Sequence, residues 1–413
     1  MPESSHRLRQ RLLLFLAVMG PGIITANVDN DAGGITTYSV AGAHFGLSLL
    51  WTLIPITVAL IVVQEMSARL GMVTGKGLSD LIREEFGVKV TFYVMVGLIL
   101  TNLGNTLAEF AGVAASMEIF GVPRYLSVPV AGVLVWALVV KGTYASVERI
   151  FLWACLFYLA YVLSGVMVHP DWSQPLSALV TPTFSLDRNY LFMLVGLVGT
   201  TIAPWMQFYQ QASVVEKGIS IERYGYSRLD VIIGCIVVDV VAFFIIVTCA
   251  VTLYANGVAV ETADQAAQAL APLAGRYCAY LFAFGLINAS LFAASILPLS
   301  TAYAVCEGMG WETGVDRKFF EAPQFYGLYT AIILIGAGVI LLPGIPLIRI
   351  MLFSQVVNGI LLPVVLITML VLSNRRKIMG DHTNGPILNS IAWATTLIMV
   401  VLSIVLVGAS LFG

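Results

Sequence analysis

Eleven apolar stretches run through this chain of 413 residues, and most of them are long enough to cross a lipid bilayer. A bilayer core of roughly 30 Å takes about 20 helical residues. The stretches lie near 13–44 (interrupted), 48–66, 90–119, 124–140, 147–168, 189–214, 230–254, 278–305, 325–343, 349–373 and 387–411. Inside lipid no water pairs with backbone N–H and C=O groups, so such segments must be helical to satisfy them. Composition agrees: 59% of residues are hydrophobic and 11% charged, where a soluble domain has about 25% charged. The chain reads as one all-α polytopic membrane domain. It carries no low-complexity tail, no second domain and no basic patch suited to nucleic acid.

Charge distribution sets the expected orientation. With the N-terminus inside, seventeen of the 21 basic residues face the cytoplasm, including Arg7, Arg9, Arg11, Arg69, Lys76, Arg375, Arg376 and Lys377. Arg124, Arg188, Arg276 and Arg349 stay outside. The positive-inside rule then predicts a cell-membrane protein with a cytoplasmic N-terminus and an extracytoplasmic C-terminus. The first apolar segment lacks a small-residue cleavage site and reads as a retained helix. The outer loop His169–Arg188, with Pro170, Pro175 and Pro182, reads as an irregular cap, and Ala255–Arg276 as holding a short polar helix. Cys155, Cys235, Cys249, Cys278 and Cys306 form no close pair, which argues against disulfide or thiolate-metal frameworks. No cofactor and no obligate protein partner is expected beyond the lipid bilayer.

The first stretch is broken by Asn27–Gly34, which holds Asp29, Asp31, two carboxamides and a glycine pair. A charge at the bilayer centre costs roughly 3 kcal/mol or more. The glycines allow the backbone to leave helical geometry and turn carbonyls toward a cavity. Paired acids beside free carbonyls read as a cation site. A second break is predicted near Ala203, because Pro204 removes a backbone donor from the sixth stretch. Breaks in the first and sixth of eleven helices suggest two five-helix repeats, about 13–168 and 189–373, with an extra helix about 387–411. The expected architecture is a LeuT-like 5+5 inverted repeat with discontinuous helices 1 and 6, plus an eleventh helix.

Specific motifs extend this reading. Gly20-Pro21-Gly22 is followed by Asp31-Ala32-Gly33-Gly34, then Ala41-Gly42 and Phe45-Gly46. Downstream come Ala68–Lys76, Leu107-Ala108-Glu109, Ser354-Gln355 and Asn374–Gly380. Together they resemble the NRAMP divalent-metal transporters along nearly the whole chain. In that family a first-span Asp-Pro-Gly-Asn and a sixth-span Met-Pro-His surround a transition metal. The resemblance places Asp31 on the family's aspartate, Gly34 on its asparagine, Ala203 on its methionine and Trp205 on its histidine. Thr200 falls where a carbonyl faces the metal. Gln355, Glu109 and Asp29 complete the candidate metal-facing set.

The departures shape the expected function. With Ala203 the soft thioether is gone, and with Gly34 a second side-chain ligand is shortened, which is expected to enlarge the site. A roomy, oxygen-lined pocket suits a hard ion that keeps its waters. The pattern is similar to the NRAMP-related magnesium transporters, and implies import of Mg²⁺, with Mn²⁺ also accepted, by alternating access. Trp205 cannot titrate, and Thr106 stands where many members carry an acid three residues before the Glu, so proton coupling is expected to be weak or absent. The alternative is a proton-coupled Mn²⁺/Fe²⁺ transporter.

Blander roles stand beside these. Asp29 either caps the helix end or draws cations into the vestibule. Glu109 is either a cavity acid or a stabilising partner. Asn27 and Asn30 serve the unwound backbone; Gln355 and Asn358 share a helix face that could hold helices together. Asp239 is an intramembrane acid without a motif. An EF-hand reading fails because Val40 stands where its closing Glu belongs. A LeuT-like carrier of an organic substrate would use Asp31 for an amine or sodium. An enzyme is not expected, since adjacent acids on one unwound strand are poorly placed to share a proton.

Overall fold

The computed structural model describes residues 14–343 and 347–412; side chains are described within these except at 347–357, 359–360, 403 and 405–412. The described residues form α-helices joined by turns and short 3-10 segments. In chain order the helices are α1 Pro21–Val28, α2 Ala32–Phe45, α3 Leu53–Thr74, α4 Leu78–Phe86, α5 Val88–Ile119 and α6 Arg124–Val140. Then come α7 Tyr144–Phe157, α8 Leu159–Met167, α9 Ser173–Val180, α10 Arg188–Thr201, α11 Pro204–Glu216 and α12 Tyr224–Thr252. The remainder are α13 Ala263–Ala274, α14 Arg276–Met309, α15 Pro323–Ile340, α16 Leu347–Asn374, α17 Arg376–Met379 and α18 Pro386–Phe412. Seven of the resulting spans are long and apolar enough to cross a membrane by themselves. The discontinuous pair α1–α2, the 17-residue α6 and the apolar helices α16 and α18 bring the path to the eleven read from sequence.

Both expected breaks are present. Helix α1 ends in a tightened turn, with Asp29 N–H donating to Ala26 O and Asn30 N–H to Asn27 O, each at 3.2 Å. Helix α2 restarts from Asp31, whose backbone is extended (φ −76°, ψ −178°). In the sixth span α10 stops at Thr201, and Ala203 takes an extended conformation (φ −87°, ψ 145°) before Pro204 opens α11. A residue preceding proline is pushed out of the α region by the ring. The outer halves α2 and α10 pack together, as do the inner halves α1 and α11, so the two breaks lie side by side. The Tyr38 hydroxyl on α2 pairs with Thr201 Oγ1 at the end of α10, at 3.0 Å.

Helix α12 is the strut behind the first break, packing on both α1 and α2. Close approach depends on missing side chains. A Cβ on Gly22 would come within 2.6 Å of Val231 N, one on Gly234 within 2.7 Å of Gly22 O, and one on Gly42 within 2.5 Å of Ile246 O. The start of α1 is then held by charge. Asp230 of α12 accepts N–H bonds from Gly20 (3.1 Å) and Gly22 (2.6 Å). Lys217, just past α11, donates to Met19 O (2.6 Å) and pairs with Glu148 of α7 (2.8 Å).

Three expectations need correction. The second span runs to Thr74, eight residues beyond its expected end. Its polar residues are buried in a network: Arg69 pairs with Glu65 at 2.8 Å, Tyr224 donates to Glu65 at 2.6 Å, and Arg69 also donates to Asn384 Oδ1 and the His382 carbonyl. The fifth span is not continuous but jogs at Tyr158 between α7 and α8. The outer loop His169–Arg188 is not wholly irregular, because Asp171 accepts from Ser173 N–H (3.2 Å) and hydroxyl (2.8 Å) and starts α9. Those bonds hold the Asp171 carboxyl below the usual carboxylate range. The short helix expected in Ala255–Arg276 is α13, which buries Ala263, Ala266, Ala267 and Leu270.

Candidate metal site

Asp31 caps α2, and its Oδ1 accepts the Gly34 N–H at 2.7 Å. Aspartate is a favoured N-cap because its carboxylate takes up an amide the helix leaves unpaired. Glu109 reaches the same helix start from α5, and its Oε2 accepts the Ala32 N–H at 3.1 Å. Two carboxylates therefore converge on one helix N-terminus, where the helix dipole favours negative charge. Asp31 is part-exposed, while Glu109 is 0% and Asp29 2% exposed. Neither Asp31 nor Glu109 has an ion-pair partner among the described residues. Both readings of Glu109 find a footing here: one oxygen stabilises the backbone, and Oε1 is left without a hydrogen bond.

The break itself is made differently than expected. Gly33 and Gly34 lie inside α2 and are not the residues that unwind the backbone. Gly34 does not enlarge the pocket either, because a Cβ there would come within 2.5 Å of the Asp29 carbonyl oxygen. The backbone fills the volume that a side chain would take. Glycine is thus required at position 34 for close approach, and its amide steadies Asp31. Asp29 caps the end of α1, and its Oδ2 is buried without a partner. Asn27 donates to Ile23 O at 2.8 Å and Asn30 to Val238 O at 3.1 Å, so both carboxamides do serve the backbone. Tyr158, from the jog in the fifth span, donates to Asn30 O at 3.1 Å.

Across from this, the second break offers oxygen rather than side chain. In an α-helix the N–H of residue 204 would pair with the carbonyl of residue 200, but Pro204 has none. The Thr200 carbonyl is thereby freed of its helical donor at the C-terminal, negative end of α10. Thr200 is part-exposed, whereas Ala203 is 6% exposed and presents only a methyl. Trp205 is 1% exposed, sets its ring 6.4 Å from that of Tyr209 at a tilt of 54°, and accepts at its carbonyl from Ser300 Oγ (3.0 Å). It closes the inner side as packing. Gln355 lies on α16 among residues whose side chains are not described; Asn358 is buried there with its Oδ1 unpartnered. Thr106 donates to Asn102 O of its own helix at 2.6 Å. Among the described residues no three His, Cys, Asp or Glu side chains gather as a metal-binding group. Any cation held at Asp31 would thus meet at most two of these carboxylates, with backbone carbonyls and water.

Tyr38, Tyr158, Asp230 and Thr57 escaped the sequence reading, and Asp239 was noticed there without a role. Asp239 had a signal, an acid isolated in apolar sequence; the tyrosines had none, since their role depends on which carbonyl or hydroxyl the fold brings near.

Paired helix breaks in an all-helical bundle of this topology define a multi-pass membrane protein of LeuT-like fold. A family model described as "Natural resistance-associated macrophage protein-like" (Nramp) matches residues 22–409, and the chain belongs to that family. It is 29% identical over its full length, and 98% of the relative's, to the divalent metal cation transporter MntH of Klebsiella pneumoniae subsp. pneumoniae. A manganese transporter structure from Eremococcus coleocola superposes with a TM-score of 0.83 at 21% identity, covering 95% of this chain and 86% of that one. The nucleobase-cation-symport-1 transporter Mhp1 aligns with a TM-score of 0.61 at 13% identity, covering 94% and 90%. These structural likenesses establish the fold.

Proposed function

We propose that the protein imports divalent cations across the cell membrane by alternating access, preferring Mg²⁺, accepting Mn²⁺, and moving them with little or no proton coupling. The MntH relatives and the Eremococcus manganese transporter support divalent-cation transport. The observation that carries the preference is the second break, where Ala203 offers a methyl and the freed Thr200 carbonyl is the nearest donor by chain geometry. An oxygen-only site lacks the soft ligand that selects transition metals and suits a hard ion retaining water. Gly34 contributes by its amide, not by leaving space. The proposed metal-facing set is Asp31, Glu109, Asp29, the Thr200 carbonyl, Ala203, Gly34 and Gln355. The repeats about 13–168 and 189–373 are proposed to rock around the paired breaks, with the N-terminus cytoplasmic.

Trp205, packed and buried, does not titrate and so cannot take the place of a histidine relay. A divalent ion gains about 2.3 kcal/mol per charge per 100 mV from the membrane potential and needs no proton to enter. One observation favours the proton-coupled alternative: Glu109 keeps an unpartnered oxygen beside Asp31. Mg²⁺ uptake into proteoliposomes carrying an internal pH dye separates the two. The expected result is Mg²⁺ entry without acidification, abolished by Asp31→Ala. Mn²⁺ entry with acidification and no Mg²⁺ entry would overturn the proposal. Ala203→Met is expected to raise the Mn²⁺ to Mg²⁺ ratio; an unchanged ratio removes the ligand-softness argument.

A further inference from the structure

Behind the first break, a second set of acids is buried at the end of α1 and in α12. Asp29 is 2% and Asp239 5% exposed, and no Lys or Arg pairs with either among the described residues. Asp29 is followed by Asn30, whose side chain bonds the carbonyl of Val238, the residue before Asp239. Each carboxylate has one oxygen turned away from every hydrogen-bond donor, Asp29 Oδ2 and Asp239 Oδ1. Thr57 of α3 holds the other Asp239 oxygen at 2.5 Å, which fixes the direction of the free one.

Asn30 supplies the independent observation. It is 0% exposed, and its Nδ2 is committed to Val238 O, the residue beside Asp239, at 3.1 Å. That bond orients the carboxamide, leaving Oδ1 buried, unpartnered and held next to the Asp239 segment of α12. Three hard oxygens, two of them from carboxylates, thus sit in a water-poor interior with nothing to accept from. Buried polar atoms are ordinarily paired, and intramembrane acids that lack a protein partner mark ion paths.

We propose that Asp29 Oδ2, Asp239 Oδ1 and Asn30 Oδ1 form a second divalent-cation site, adjacent to the one at Asp31 and sharing Asp29 with it, with Thr57 as its positioning residue. Two carboxylates and a neutral carbonyl match the charge and hardness of Mg²⁺ or Mn²⁺, with water completing the shell. The site gives an ion leaving Asp31 a place to pause against α12. It rests on the reading that the chain handles divalent cations, and its test is kept separate from transport.

The experiment counts Mn²⁺ bound to the purified full chain in detergent, from loss of the free-ion electron paramagnetic resonance signal. Wild type, Asp31→Asn, Asp239→Asn and the double variant are compared, with monodispersity checked by size exclusion. The expected counts are two, one, one and none per chain, with added Mg²⁺ displacing both ions. Thr57→Val keeps every carboxylate and is expected to weaken only the second ion, by about tenfold or more; it decides the matter if Asp239→Asn does not fold. A wild-type count of one that Asp239→Asn leaves intact overturns the second site. Counts as expected with no flux in vesicles would sink the transport reading and leave this one standing. A wild-type count of zero overturns both.

Discussion

Position 34 shows how a missing side chain can do structural work. The Asp29 carbonyl occupies the volume of a Cβ, and backbone cannot swing aside as a flexible side chain can. Gly34→Ala is expected to distort the break and lower Mg²⁺ uptake at least tenfold. Gly199→Ala, where a Cβ meets nothing within 4 Å, is expected to change uptake little; equal effects would count against the close-approach argument. Glu109 divides similarly into acceptor and charge. Glu109→Gln keeps an oxygen for Ala32 N–H, whereas Glu109→Ala leaves that amide unpaired at a cost of about 1–3 kcal/mol. Thermal unfolding is therefore expected to separate the alanine variant from wild type and leave the glutamine variant close to it. If glutamine also halts uptake without loss of stability, the charge at Glu109 acts in transport. Asp31 as an ion-facing acid was legible because an uncompensated intramembrane carboxylate is costly wherever it lies. Its neighbours were less so: Gly34 looked like a shortened ligand until the Asp29 carbonyl was seen against it.

At the scale of the element, the inner half-helix α1 has eight residues, too short to persist unless its ends are satisfied. Asp230 accepts from its first amides and Lys217 donates to Met19 O. Hydrogen bonds to a charged group contribute about 1.5–3 kcal/mol each. Asp230→Ala is expected to lower the unfolding temperature and raise hydrogen exchange over Pro21–Val28 first, ahead of α12. Uniform exchange across the protein would show that α1 is held by packing alone. Helix existence was readable throughout because apolar length is a local property. The end of α3 was not, since Glu65 and Arg69 look like an exit from the membrane. Only contact with Tyr224, His382 and Asn384 makes them interior. The jog at Tyr158 has no proline or glycine to announce it, and its hydroxyl is spent on the Asn30 carbonyl.

For the whole molecule, the paired breaks are one device: outer halves joined by Tyr38 and Thr201, inner halves by packing of α1 on α11. A ligand that binds only the assembled pair stabilises the fold by mass action, about 2.7 kcal/mol at a concentration one hundred times Kd. Mg²⁺ is expected to raise the unfolding temperature of wild type in a concentration-dependent way and to do so less in Asp31→Ala. An equal rise in the variant would mean that binding elsewhere dominates. The sequence alone determined the number of apolar spans, the two points where they break and the family, because bilayer thickness, buried charge and a missing proline amide act on local stretches of chain. Which oxygens remain unpaired at those breaks was decided only by tertiary structure. That outcome depends on residues up to some 200 positions apart, as when Asn30 meets Val238, and no local pattern encodes such a meeting.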